Sequence, residues 1–159
     1  AQRYLVQAAG LTDDRREQAS LLHRAGWLAG GAADLETADR LLRESIELYR
    51  AEEETHPAAQ VLSRLAFVVR WQGRFDEALA MLEEAYEVLR DDEPDEDLGL
   101  LVQRLGGAYT FAGDFERARE LLERATDVGE ALGEYGDRFH QLQRGGDDLI
   151  VGDRRHDSE

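Results

Sequence analysis

The residues able to do chemistry are spread thinly along this chain. Histidines stand at positions 23, 56, 140 and 156, one per region, with no pair at the three- or four-residue spacing that lets two rings share a metal on a helix. His56, beside Pro57, reads as a loop residue before a helix start. Ser20, Ser45, Ser63 and Ser158 sit in no nucleophile elbow. The acidic run of Asp91, Asp92, Glu93, Asp95, Glu96 and Asp97 would attract a divalent cation, yet it lacks the glycine turn and ligand spacing of a calcium loop and reads as a solvated connector. Glu83 and Glu84, and the run Glu52 to Glu54, fall on solvent-facing or helix-end positions rather than opposing one another as acid and base. The chain has no cysteine and no lysine, which removes a thiolate nucleophile, a Schiff-base lysine and a phosphate-loop lysine. The expectation is a protein without a catalytic constellation, metal or cofactor.

Charge narrows the partners. Nineteen basic residues, all arginine, face 35 acidic ones for a formal net charge of −16, which repels phosphate backbones and anionic lipid. Nucleic acid and membrane are therefore not expected as partners. No apolar run approaches the roughly 20 residues of a membrane span, and the first ten residues, AQRYLVQAAG, lack the charged-then-apolar layout of a signal peptide. With cysteine absent, a reducing cytoplasm is the expected location.

The elements that must position any site are visible as a repeat. Setting Gly73, Arg74 and Phe75 on Gly113, Asp114 and Phe115 gives an offset of 40 that also pairs Leu65 with Leu105, Ala78 with Ala118, Leu82 with Leu122 and Ala85 with Ala125. The same step backwards meets Gly26, Leu35, Ala38, Leu42 and Ser45, with Ala33 where the other two units carry glycine. In each unit a first helix, about 57 to 72 in the middle one, ends at a glycine able to take the left-handed conformation. A tight turn then leads into a second helix whose apolar residues, such as Ala78, Leu82, Ala85, Val88 and Leu89, recur at three and four. Small residues at 26, 66 and 106 and at 38, 78 and 118 let the two helices approach closely. Phe75 is expected to wedge the turn.

These residues resemble the tetratricopeptide repeat. The stretch LVQRLGGAYTFAGDFERARELLERA, 101 to 125, carries that family's leucine-glycine pair, tyrosine, turn glycine, aromatic and two spaced alanines. The middle unit departs at Val69, and the first at Ala29 and Ala33. The resemblance implies an all-α fold, a right-handed superhelical solenoid of antiparallel helix hairpins, with about three full repeats and partial units at both ends. Within a single domain over 1–159, the units are 1–10 (a partial preceding repeat, with Tyr4, Leu5, Ala8 and Ala9 on one face), 13–54, 57–92, 95–133, and 135–159 as the first helix of a truncated fourth. The 40-residue period exceeds the family's usual 34, and the surplus is expected in the connectors AEEETHP, 51 to 57, and DDEPDED, 91 to 97. Such long repeats look like those in the C-terminal regions of large bacterial signalling proteins with an ATPase, nucleotide-cyclase or transcriptional-regulator module.

In such arrays the first helices line a concave groove. The resemblance places His23, Trp27, Gly30 and Gly31 there, then Ser63, Phe67, Arg70 and Trp71, then Gln103, Gly107, Thr110 and Phe111. Trp27 with Phe67, and Trp71 with Phe111, lie 40 apart, a spacing that stacks aromatics along one wall for an apolar or amphipathic segment, with Arg70 as an anionic anchor. Family members that clamp a terminal carboxylate use lysine and asparagine, and this chain has neither. The resemblance therefore implies a non-catalytic protein- or peptide-binding module, the regulatory tail of a larger signalling protein, whose partner could be another domain of the same protein. Two alternatives stay open: a small-molecule sensor, for instance of a sugar, and a self-oligomerisation element driven by an exposed apolar end.

Overall fold

Aspartates open four of the helices. Asp14, Asp34, Asp95 and Asp114 each turn a side-chain oxygen back onto a backbone N–H of the first turn, such as that of Leu98 at 2.7 Å, satisfying donors a helix start leaves free. A computed structural model describes residues 1–133, which form seven helices: α1 Gln2–Ala9, α2 Arg15–Gly31, α3 Leu35–Ala51, α4 Thr55–Trp71, α5 Phe75–Leu89, α6 Glu96–Ala112 and α7 Phe115–Ala131. The expected fourth-unit helix, with His140 and His156, lies outside the described residues.

The turns repeat one device. Gly73 and Gly113 both have φ of +82°, and a backbone N–H just beyond each reaches back five residues, Arg74 to the Val69 carbonyl and Asp114 to that of Tyr109. Ala33 at φ 61° and Glu53 at φ 59° occupy the same left-handed position with the same closing bonds, although neither is glycine. Pro57 falls in the first turn of α4, where its missing N–H costs no intrahelical bond.

The long period has a different origin from the one expected. Helices α2, α3 and α4 each run 17 residues, and α3 joins α4 through 52–54 alone, so the stretch 51 to 57 is mostly helix. The excess lengthens helices. A longer link occurs at 90–95, between α5 and α6, where Asp95 already serves as the cap of α6.

Each helix packs on its neighbour in the chain, and α2 also meets α4, the arrangement of an all-α solenoid. One apolar core runs from Ala29 and Leu42 through Leu65, Val69 and Leu82 to Leu105 and Val128. A smaller cluster of Ala9, Leu22, Ala25 and Leu41 attaches α1, with Leu5 against it. Tyr4 does not join that face and is 77% exposed, because among the described residues α1 packs on the α2 side. The small residues act as expected: a Cβ on Gly26 would stand 2.9 Å from Leu42 Cγ, so α2 and α3 approach there as only glycine allows. Ser45, alone among alanines at its repeat position, is fully buried and donates its hydroxyl to the Ala19 carbonyl at 2.7 Å, tying α3 to α2.

Candidate groove on the first helices

Helical spacing brings the aromatics of successive first helices side by side. Trp27 on α2 and Phe67 on α4 have ring centroids 6.3 Å apart, and Trp71, one turn beyond Phe67, meets it edge-on at 6.1 Å. All three keep solvent exposure, from 39% at Trp27 to 68% at Trp71. The fourth ring behaves otherwise than its spacing suggests. Phe111 stacks on Phe75 at 4.6 Å instead of extending from Trp71, because α5 begins directly beneath the end of α6 and presents Phe75 there, half exposed rather than wedged into its turn.

Arginines interleave with the rings. The Arg64 guanidinium lies 5.3 Å above the Trp27 ring and that of Arg104 lies 5.2 Å above Phe67, so each cation rests on the aromatic of the preceding first helix. Each also reaches the residue 41 positions back: Arg64 Nη1 donates to His23 Nε2 at 3.0 Å, and Arg104 Nη1 points to the Ser63 carbonyl at 3.4 Å. Arg64 is further held by Asp97, which also accepts from Gln60 Nε2 at 3.2 Å. The two arginines, Trp27, Ser63, Asp97 and Leu100 line a pocket of about 220 Å³.

Electrostatics follow from these contacts. Burial, then the Arg64 guanidinium, lowers the His23 pKa to about 4, with Asp97 opposing, so the ring is neutral near pH 7 and free to accept from Arg64. Burial and the neighbouring Arg64 likewise press the Arg104 pKa down, again against Asp97. Among the described residues no carboxylate lies within ion-pair distance of Arg104.

The helix pairs, their left-handed closing turns and the small residues at their crossings match one family. Residues 57–131 fit the model of the tetratricopeptide repeat. That segment belongs to the tetratricopeptide repeat family. The fold as a whole is similar to that of BtubC (BKLC) from P. vanneervenii, with a TM-score of 0.67 at 22% identity over 80% of this chain and 52% of that one. The present chain thus spans about half the length of that protein. Among curated proteins no similar sequence is found.

Tetratricopeptide repeats mediate protein–protein interaction, and the groove residues expected from them distribute unevenly here. Trp27, Phe67, Arg70, Trp71, Gln103, Thr110 and Phe111 are all exposed on first helices. His23 is half-buried beside Arg64, and Ser63 is buried, offering its carbonyl to Arg104. The sequence did not mark Gln60, Arg64 or Arg104 as part of this face, and Asp97, expected in a solvated connector, lies in the first turn of α6 and pairs with Arg64. The signal for the arginines was present: Arg24, Arg64 and Arg104 recur at 40 and stand three residues before Trp27, Phe67 and Gly107.

A second, more open cleft of about 770 Å³ lies between α5, α6 and α7. Arg124 covers the Tyr86 ring there and Arg117 that of Tyr109, while Glu83 accepts from the Tyr109 hydroxyl. Its three arginines face three glutamates, so it presents no net charge. Among the described residues no group of three or more histidine, aspartate or glutamate side chains could hold a metal ion, and no helix is long and apolar enough to cross a membrane.

Proposed function

We propose that this chain is a non-catalytic interaction module whose first-helix face holds a segment of a protein partner. The observation that carries the reading is the exposed run of Trp27, Phe67 and Trp71 in mutual contact, a continuous apolar patch on a heavily charged molecule. Aromatic anchors of this kind concentrate binding energy: covering about 100 Å² of Trp71 would contribute about 2.5 kcal/mol before ordering costs. Mechanistically, a partner that fits one curvature of the stacked hairpins better than another would bias whatever adjoins the array. The likeness to long-repeat regulatory regions supports placing the module within a larger signalling protein.

The test is peptide selection against the whole chain. Peptides chosen on the wild type should bind the variant Trp71→Ala at least tenfold more weakly while its melting temperature stays within a few degrees of wild type. Equal binding by that variant and by Phe67→Ala would remove the aromatic face from consideration.

A further inference from the structure

The charge on this molecule is segregated by helix class. Helices α2, α4 and α6 carry six arginines against Glu17, Glu96 and Asp97, whereas α3, α5 and α7 carry six arginines against fourteen acidic residues. A chain of net charge −16 therefore keeps a small positive excess on the helices that bear Trp27, Phe67 and Trp71, although Arg15 and Arg16 at the start of α2 are paired with Glu52 and Glu54. On the first-helix face Arg64 is already matched by Asp97 at 3.3 Å, whereas among the described residues Arg104 has only a long contact to a carbonyl and the ring of Phe67. A half-buried guanidinium without an anion holds desolvation cost that an incoming carboxylate would relieve.

Space for that carboxylate exists. Arg104 opens on the pocket of about 220 Å³. One turn further along α6, the register that places Trp27 and Phe67 on the preceding first helices places Gly107, and nothing lies within 4 Å of where its Cβ would stand. Aromatics lie on both sides, Trp27 and Phe67 towards α2 and Phe111 towards the end of α6, so a bound chain can continue past Arg104 in either direction. Glu96 and Asp97 line the same pocket and disfavour a dense acidic cluster, which sets the demand at one carboxylate among apolar neighbours.

We infer that the first-helix face selects an aspartate or glutamate side chain within an otherwise apolar stretch of a partner protein, its carboxylate pairing with Arg104 while the flanking side chains cover Phe67 and Trp71. This rests on the proposal that the face binds a protein segment.

A positional array of eight-residue peptides, acetylated and amidated at their ends and probed with the full chain, separates the two ideas. The expected result is enrichment of Asp or Glu at one position beside apolar residues, and about tenfold weaker binding when that residue becomes Gln or Asn. The variant Arg104→Gln should bind apolar peptides without the acidic preference, and Arg104→Lys should keep part of it. Apolar peptides bound with no acidic preference would leave the face as a binding surface and overturn the carboxylate assignment. Enrichment of arginine or lysine, binding only to peptides with a free C-terminus, or an acidic preference unchanged in Arg104→Gln would also overturn it. Failure of every peptide to bind would sink both ideas. Should Arg104→Gln lose its cooperative melting, the decision passes to the wild type, where the acidic peptide alone must weaken steeply with added salt while its amide counterpart does not.

Discussion

His23 on α2 and Arg64 on α4 share a hydrogen bond of 3.0 Å that joins two first helices and holds the arginine over Trp27. The bond needs a neutral imidazole, and burial with the adjacent guanidinium lowers the ring's pKa to about 4. The unfolded chain takes up this proton near pH 6.5, the folded chain only near 4, so stability is lost as pH falls through that window. The expected loss between pH 7 and pH 5 is about 2 kcal/mol from this group alone. Urea melts at the two pH values should show it, and His23→Gln, which can still accept from Arg64, should lack most of it. An identical acid response in the variant would assign the effect elsewhere.

Ala33 closes α2 in the left-handed conformation that Gly73 and Gly113 supply in the later units. A Cβ there costs about 1 kcal/mol, so Ala33→Gly should raise the urea midpoint although it deletes a methyl group and adds unfolded-state freedom. Gly73→Ala should lower it by a comparable amount. If both substitutions destabilise, backbone strain does not govern these turns.

Two helical glycines should respond in opposite directions to alanine. At Gly26 the added methyl meets Leu42 at 2.9 Å, and overpacking of about 1–3 kcal/mol outweighs the gain in helix propensity. At Gly107 nothing lies within 4 Å, so the propensity gain of about 0.8–1 kcal/mol is realised. Thermal melts of the two single variants check the contrast.

Trp71 is 68% exposed and Trp27 39%, with Arg64 lying over the latter. In single-tryptophan variants iodide should quench Trp71 clearly more than Trp27. Trp71→Ala should cost less than about 1 kcal/mol, well below the 3–5 kcal/mol of a buried ring. Equal quenching would mean that Trp71 is covered, by a second copy or by another part of the chain.

The sequence by itself determined the repeat and most of its helix architecture. Glycine at 73 and 113, aspartate before α2, α3, α6 and α7, and apolar residues at three and four act within a few residues of themselves, so their meaning survives without knowledge of the neighbours. Even the misplaced surplus at 51 to 57 was a local matter, since Glu53 adopts a conformation that its side chain does not advertise. Only the tertiary structure decided the partners. Spacing of 40 paired Trp71 with Phe111, yet α5 starts beneath the end of α6 and Phe75 takes that ring instead. The interleaving of Arg64 and Arg104 with Trp27 and Phe67 arises between different hairpins. Asp97 reaches Arg64, and no carboxylate among the described residues reaches Arg104. Long side chains choose among several acceptors several ångströms away, and that choice depends on the offset between stacked helices, a quantity set by the whole core.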